Sequence, residues 1–201
     1  MKRIGITQRL EHIHDRDENR DALDTHWAEL LWSLGYMPIM LSSHITDIHL
    51  YLKELALDAF ILSGGNDIGS AIPRDNLEEA VLNFAEKEKL PVLGVCRGMQ
   101  FINHYLGGKL SKVDGHVAIK HSLSGRWAHE RGFNDVNSYH DKAILPMHLS
   151  SKLEILASST DGIIEAVKHQ NLPWLGIMWH PEREIPFKQN DIKLLKELFG
   201  E

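Results

Sequence analysis

Residues 90–103 read LPVLGVCRGMQFIN. The apolar run before Cys96 has the composition of a buried strand, and the residues that follow carry apolar side chains at helical spacing. Gly94 and Gly98 lie two residues to either side of Cys96, and small neighbours let a chain turn so sharply that the middle side chain stands exposed above a sheet. The stretch therefore predicts a strand that ends at Cys96 and a helix that begins directly after it.

Cys96 is the only cysteine of the chain, which excludes an intramolecular disulfide. A lone cysteine is more often a small buried hydrophobe than a nucleophile. The predicted turn reverses that preference, because free N–H groups at the start of a helix favour a thiolate. We therefore interpret Cys96 as a nucleophile, which needs a general base and donors for an oxyanion.

A candidate base follows a second apolar run, WLGIMWHPE at residues 174–182. His180 comes at the carboxyl end of that predicted strand. Glu182 lies on the same side of an extended chain, and Pro181 stiffens the backbone between the two. The carboxylate can then accept one imidazole N–H and leave the other nitrogen to the thiol. The alternative is a surface histidine beside a surface glutamate, since the chain has thirteen histidines.

Candidate oxyanion donors follow a third run, the predicted strand Ala59–Ser63. Gly64 and Gly65 come directly after it, at the edge where open α/β sheets bind ligands. The main-chain N–H groups of Gly65 and of Arg97 could form the oxyanion hole, with Gly64 beside the substrate. A Gly-Gly pair after a strand is, on its own, commonly just a turn.

The chain as a whole alternates β-branched runs with amphipathic stretches, which is typical of an α/β fold with a mostly parallel sheet. After about residue 110 the segments shorten and predict a small antiparallel section. No linker or repeat is visible, so one domain over residues 1–201 is expected. The predicted strands are Arg3–Thr7, Tyr36–Leu41, Ala59–Ser63, Pro91–Cys96, Asp135–Ser138, Leu153–Ser159, Ile163–Lys168 and Trp174–Trp179. The predicted helices outside the cysteine segment are Ala22–Leu34, Asn76–Lys89 with Asp75 as its N-cap, and Gln189–Phe199.

Composition excludes several classes of function. With 22 Lys and Arg against 28 Asp and Glu, the formal charge is −6, and without a basic run no binding to nucleic acid is expected. No apolar stretch approaches the about 20 residues of a membrane helix. The first residues lack the apolar region of a signal peptide, so neither a membrane nor an export route is expected. A cytoplasmic location is the expectation.

The three motifs, in this order and at these separations, resemble the class I glutamine amidotransferase family. The Cys-Arg-Gly-Met-Gln form, together with VNSYH at residues 136–140 and LGGKL at residues 106–110, is similar to the γ-glutamyl hydrolase branch of that family. The resemblance covers nearly the whole chain. It implies the flavodoxin-like class I glutamine amidotransferase fold, in which helices flank the central sheet.

The resemblance also implies a reaction. Cys96 would attack the γ-carbonyl of a glutamyl amide to form a γ-glutamyl thioester, His180 would act as base and then acid, and Glu182 would orient His180. Glutamate is then released by water. No metal or organic cofactor is expected, because thiol-based amide hydrolysis needs none.

Residues that bind the glutamyl group are implied in the same way. Gln100 would reach its amino-acid end, and the backbone around His140 and Asp141 would hold the α-amino and α-carboxylate groups. The sequence departs from the family where His140-Asp141-Lys142 replaces the usual His-His-Gln, and where a very short segment, Ile68–Pro73, precedes the next helix. Both departures leave the identity of the leaving amine open.

The resemblance implies two candidates for the small-molecule substrate, γ-glutamyl-γ-aminobutyrate and γ-glutamyl-CDP-amidate, an intermediate of capsule phosphoramidate synthesis. A diphosphate would suit basic groups such as Lys142, Arg126 or Arg74. Each of these side chains is, taken alone, more commonly an ordinary solvated charge.

Three classes of function are compatible with these motifs. The favoured one is a free-standing hydrolase, because the glutaminase fold uses the whole length and leaves none for a synthetase domain. A glutaminase subunit that delivers ammonia to a separate synthetase partner is the alternative. A non-catalytic binding module is disfavoured by the intact set of Cys96, His180 and Glu182. The oligomeric state is left open.

Two pairs of histidines raise the question of a metal site, His12 with His14 and His116 with His121. No cysteine, aspartate or glutamate at ligand spacing accompanies either pair. We therefore interpret these histidines as solvated or hydrogen-bonded, and no metal site is expected.

Overall fold

A nine-stranded sheet forms the centre of the molecule. The computed structural model describes residues 1–200. The strands of the chain are β1 (Arg3–Ile6), β2 (Arg9–Ile13), β3 (Glu18–Ala22), β4 (Met37–Met40), β5 (Ala59–Leu62), β6 (Val92–Val95), β7 (Ser111–Lys112), β8 (Val117–Ser124), β9 (Asp135–Tyr139), β10 (Lys142–Ala143), β11 (Leu153–Ser159), β12 (Ile164–His169) and β13 (Trp174–Ile177). The helices are α1 (His26–Ser33), α2 (Ile48–Leu55), α3 (Ile72–Glu88), α4 (Arg97–Tyr105), α5 (Arg126–Glu130) and α6 (Gln189–Phe199).

The order of strands in the sheet is β4-β1-β5-β6-β13-β12-β11-β8-β9. The first five run parallel to one another, and the other four continue the sheet antiparallel. Two small antiparallel pairs lie apart from it, β2 with β3 and β7 with β10. The predicted α/β fold with a mostly parallel sheet is thus confirmed, although the antiparallel section is larger than expected.

The core lies on both faces of the sheet, because successive side chains of a strand point to opposite sides. Ile61 and Val95 face one side, where they pack with α1 and α6. Phe60 and Val92 face the other, where α2, α3 and α4 cover them. Among residues 1–200 no helix is long and apolar enough to cross a membrane.

Two predicted helices differ from the structure at their first turns. Helix α1 was expected to begin at Ala22, but Ala22 is the last residue of the hairpin β2–β3 and the helix begins at His26. Helix α3 was expected to begin at Asn76, but it begins at Ile72 with Pro73 in its first turn, so Asp75 is inside the helix and is not its N-cap. Proline suits that position because its missing N–H has no helical partner there.

Candidate active site

Cys96 lies at a sharp turn between β6 and α4. Its φ of 52° and ψ of −105° are rare for a residue with a side chain. The turn is held by a hydrogen bond of 2.8 Å from the Cys96 N–H to the Ile177 carbonyl. A Cβ on Gly98 would lie 2.0 Å from the Leu62 carbonyl oxygen, and a Cβ on Gly94 would lie 2.6 Å from Gly98. Both glycines are therefore required for helix α4 to start so close to the sheet.

His180 and Glu182 come together at the carboxyl end of β13. His180 Nδ1 lies 2.7 Å from Glu182 Oε1, and both side chains are buried. Burial opposes a charge on the imidazole, but hydrogen bonds with Cys96 and Glu182 outweigh it and raise the pKa of His180 to about 9. The structure thus brings the three predicted triad residues into one buried group.

The backbone of His180 is fixed by a side chain that sequence reasoning did not assign a role. Asn137 Oδ1 accepts from the His180 N–H at 2.9 Å, and Asn137 Nδ2 donates to the His180 carbonyl at 2.9 Å. The amide therefore binds His180 as a neighbouring strand would. Asn137 belongs to β9, so the antiparallel end of the sheet positions the imidazole.

A buried ionic network lies beneath the turn. Glu78 of α3 accepts from Arg97 through Oε2 and from Arg74 Nε through Oε1 at 2.9 Å. Arg97 also pairs with Asp75, and Thr7 Oγ1 donates to Glu78 at 2.7 Å. Arg97 was expected to contribute its main-chain N–H. In the structure its side chain also anchors the turn, through the ion pairs with Glu78 and Asp75.

Arg74 joins the same network to the glycine loop. Its guanidinium donates to the carbonyls of Ser63 at 2.7 Å, Gly64 at 3.0 Å and Gly65 at 2.8 Å. In a trans peptide the N–H points away from the carbonyl, so the N–H groups of Gly64, Gly65 and Asn66 point away from Arg74. The suggestion that Arg74 meets a phosphate is wrong, because its side chain is fully buried and engaged.

The glycine loop also touches the imidazole. A Cβ on Gly64 would lie 2.7 Å from His180 Cε1, so only glycine leaves room for the ring. Arg97 is the first residue of α4, and a first helical N–H has no carbonyl partner within its helix. Of the residues with the predicted oxyanion donors, Gly65 lines the same cavity as His180 and Arg97 directly follows Cys96.

The predicted glutamyl-binding residues lie along the segment around Lys142. Gln100 Nε2 donates to the Lys142 carbonyl at 2.8 Å, which brings Gln100 to the predicted neighbours. The His140 N–H donates to His116 and the Asp141 carbonyl accepts from Val113, so these two backbone groups are engaged within the protein. The His140 side chain is buried, and its ring packs against His116 at 4.9 Å between centroids.

A cavity of about 310 Å³ lies between the glycine loop, His180 and the hairpin β2–β3. Its lining includes two cations that sequence reasoning missed, Arg9 and Arg183, and the carboxylates of Glu11, Asp24 and Glu182. Arg9 Nε lies 3.2 Å from Glu11 Oε1. The Arg183 guanidinium lies 4.4 Å from the centre of the Tyr139 ring. The two other suggested cations are paired elsewhere, Lys142 with Asp67 at 2.7 Å and Arg126 with Glu130 at 2.6 Å.

Comparison with known proteins agrees with this fold. The family model described as glutamine amidotransferase class-I matches residues 20–199, and the chain belongs to that family. It is 38% identical to the γ-glutamyl-CDP-amidate hydrolase of Campylobacter jejuni, over 98% of this chain and 97% of that protein. It is 31% identical to a glutamine-hydrolysing GMP synthase subunit of Methanococcus vannielii, over 75% of this chain and 78% of that protein.

Two solved structures share the fold at low sequence identity. A protein assigned as a GMP synthase subunit, from Thermoplasma acidophilum, superposes with a TM-score of 0.76 at 21% identity, covering 100% of this chain and 93% of that one. A glutamine amidotransferase from Thermotoga maritima gives 0.66 at 16% identity, with 98% and 83% covered. The class I glutamine amidotransferase fold predicted from the motifs is thereby confirmed.

The signal for the ionic network was present in the sequence. Arg74 and Glu78 are four residues apart, which places them on one face of a helix. Only the fold shows that this face is turned toward the site, and that Arg97 arrives from another helix.

Replacing Glu78 with glutamine tests the network. Glu78→Gln leaves Arg74 and Arg97 buried without their shared counter-charge, so we expect the free energy of unfolding to fall by about 3–5 kcal/mol. Urea denaturation measures it. Glu79→Gln is the matched control, because Glu79 is exposed on the same helix and its loss should cost less than about 0.5 kcal/mol. Equal losses for the two variants would contradict a buried anchor.

The protonation of His180 can be followed by NMR in protein labelled with ¹⁵N-histidine. Because its pKa is raised to about 9, the imidazole should stay protonated through neutral pH and lose its proton only near pH 9. Glu182→Gln and Cys96→Ser each remove a group that raises the pKa, so the midpoint should move to lower pH in both. His180→Asn assigns the signal. A midpoint at or below about 6.5, the ordinary value, would contradict the geometry.

Proposed function

We propose that this protein is a cysteine-dependent hydrolase that cleaves the γ-glutamyl amide bond of a small-molecule conjugate, with residues 1–201 as one catalytic domain. The observation that carries the proposal is the buried group of Cys96, His180 and Glu182. The Campylobacter jejuni relative, named as a γ-glutamyl-CDP-amidate hydrolase, supports it over almost the full length of both chains.

Acylation starts from a thiolate and an imidazolium. Cys96 Sγ attacks the γ-carbonyl carbon, and the carbonyl oxygen becomes an oxyanion that accepts from the N–H groups of Gly65 and Arg97. His180 then gives its proton to the nitrogen of the amide as the C–N bond breaks. The amine leaves, and a γ-glutamyl thioester remains on Cys96. Preorganised donors of this kind typically contribute about 10²–10³-fold in rate.

Deacylation reverses the roles of the imidazole. His180, now neutral, takes a proton from water, and the hydroxide attacks the thioester carbonyl. The C–S bond breaks, glutamate leaves, and the proton on His180 with the thiolate on Cys96 restores the starting state. Glu182 holds Nδ1 of the ring, so that Nε2 is the atom that exchanges protons.

Two sets of residues would hold the substrate on either side of the scissile bond. Gly64, Gln100 and the backbone around His140 and Asp141 form the proposed glutamyl side. The amine side is the cavity next to His180, where the leaving group has to receive its proton. Arg9 lines that cavity and suits phosphate oxygens.

The leaving group that we assign to this cavity is a diphosphate, whose oxygens Arg9 and Arg183 suit. The carboxylates of Glu11, Asp24 and Glu182 also line the cavity. With γ-glutamyl-CDP-amidate, hydrolysis of the γ-amide leaves glutamate and cytidine diphosphoramidate. Arg9 and Arg183 lie on the imidazole side of the site, the side where that product would form. γ-Glutamyl-γ-aminobutyrate, the other candidate, has no phosphates for them to bind.

A glutaminase subunit is the second candidate. The observation in its favour is the 31% identity to the GMP synthase subunit of Methanococcus vannielii, whose name describes one part of a glutamine-hydrolysing synthetase. The chemistry at Cys96 would be the same, but the amine released from glutamine is ammonia and would pass to a partner chain.

A substrate panel tests the proposal. The purified chain alone should hydrolyse γ-glutamyl-CDP-amidate with a kcat/KM at least 100-fold above that for γ-glutamyl-γ-aminobutyrate or glutamine. Cys96→Ala should lower kcat by about 10³-fold or more, and Arg126→Ala, a matched surface change, should leave it unaltered. Glutamine turnover that needs a synthetase partner would favour the second candidate, and full activity of Cys96→Ala would overturn both.

The leaving-group side is tested by Arg9→Ala and Arg183→Ala. Loss of a charged hydrogen-bond donor typically costs about 1.5–3 kcal/mol, so each should raise KM for γ-glutamyl-CDP-amidate by about 10–100-fold. KM for glutamine should stay within about twofold, because its leaving group is ammonia and carries no anion for the arginines to bind. Arg126→Ala is again the control. A parallel rise for both substrates would place the phosphates elsewhere.

A further inference from the structure

Four side chains from the antiparallel end of the sheet converge on one buried point, away from the triad. They are His116 before β8, His121 in β8, His140 after β9 and Glu165 in β12. One nitrogen or oxygen of each lies within 4.8 Å of the others. Neither His116 nor His121 has a carboxylate at ligand spacing in the sequence, and the sheet brings Glu165 to them from a distant part of the chain.

These side chains leave an unusual number of buried polar atoms without hydrogen bonds. Within residues 1–200, nine buried side-chain nitrogen or oxygen atoms have no hydrogen-bond partner, and six of them belong to this cluster. An unpaired buried polar atom ordinarily costs about 1–3 kcal/mol. Four of the six lie in ion pairs between Glu165 and the rings of His121 and His140, and the other two are His116 Nδ1 and His140 Nδ1. A ligand shared by the cluster would account for all six.

Two contacts within the cluster have the spacing of ligands around one ion. His121 Nε2 lies 3.3 Å from Glu165 Oε2, and His140 Nε2 lies 3.4 Å from Glu165 Oε1. Each is an ion pair when its imidazole is protonated, without the geometry of a hydrogen bond. Four ligands at about 2.0 Å from a tetrahedral zinc lie about 3.3 Å from one another, so these two contacts match a shared cation, and the four ligand atoms together lie within 4.8 Å of one another.

We propose that His116, His121, His140 and Glu165 form a zinc site. Three imidazoles and one carboxylate are the ligand types that Zn²⁺ prefers, and four protein ligands without a position for water define a structural rather than a catalytic site. His116, His140 and Glu165 are all less than 5% exposed, which leaves the site closed.

The surroundings of His116 match those of a zinc ligand. Its Nε2 lies 2.8 Å from Asp161 Oδ2, so Nδ1, buried and unpartnered within residues 1–200, is the atom left for the metal. Ligating histidines commonly donate their other N–H to a carboxylate, which fixes the ring. Asp161 holds His116 in this way from outside the cluster.

The zinc would tie three strands of the antiparallel section to one another. β9 carries Asn137, which fixes the backbone of His180, and Lys142 follows β9 and binds Gln100. The Glu165 carbonyl accepts from Met178, two residues before His180. A bound zinc would therefore stabilise the strands that fix the backbone of His180, without contacting the reacting atoms.

Calorimetric titration with Zn²⁺ alone tests the site, using full-length protein stripped with EDTA. We expect one Zn²⁺ per chain with a dissociation constant below micromolar, and a higher Tm once zinc is bound. Because Cys96 and His180 could themselves bind zinc, the titration is repeated with Cys96→Ser, which should bind as the wild type does. Loss of binding in Cys96→Ser would move the metal to the triad and overturn the proposal.

Cluster variants locate the metal. His121→Ala and Glu165→Gln should each weaken zinc binding by 100-fold or more and abolish the rise in Tm. His12→Ala, which removes an exposed histidine of the hairpin β2–β3, should bind like the wild type. His121 is the most accessible ligand, so its variant decides the question if Glu165→Gln fails to fold. Wild-type affinity in His121→Ala, or no zinc binding by the wild type, would overturn the proposal.

Discussion

The edge of the sheet that carries Cys96 depends on one buried carboxylate, Glu78, which lies on α3 together with two other residues of its network, Arg74 and Asp75. Through Arg97 it holds the turn that carries Cys96, and through Arg74 it holds the carbonyls of the glycine loop. A buried ion pair is weak evidence for stability, because removing the charges from water costs about as much as their attraction returns. Its value here lies in geometry, since two loops from different strands are fastened to the same group.

Cys96 has a strained backbone conformation, which the contacts around it have to maintain. A residue with a side chain at positive φ typically costs about 1–3 kcal/mol and persists only where its surroundings over-determine it. At Cys96 those surroundings are the hydrogen bond to Ile177, the close contact of Gly98 with Leu62, and the ion pairs of Arg97. Together these contacts hold Cys96 in its strained conformation.

Local patterns predicted the fold wherever strands are buried on both faces. β5, β6 and β13 are short apolar runs, and each ends at a residue of the site, so both the strand and the functional residue could be read from the same stretch. β2 and β8 were missed because neither strand contains a fully buried side chain. Their turns and partners are set by contacts that no local pattern records.

The residues of the candidate site also differ in how far the sequence alone could predict them. The proximity of Cys96, His180 and Glu182 could be predicted because each lies beside a glycine, a proline or a strand end, and their catalytic roles stay a prediction. Asn137 and Arg9 could not, because their parts depend on which strand or hairpin lies opposite. Glu165 is the clearest case. Its carboxylate meets three histidines only because antiparallel pairing returns the chain to the same place.

Cys96 and His180 follow neighbouring parallel strands, in which Val95 pairs with Ile177. Hydrogen-bonded strands lie about 4.8 Å apart in any sheet, so main-chain pairing sets the distance between the two strand ends that lead to Cys96 and His180. In evolutionary terms, two parts of the molecule can change separately. The exposed hairpin β2–β3 can vary in length and charge, and with it the lining of the cavity, while the two strand ends keep a spacing that substitutions on the surface do not reach.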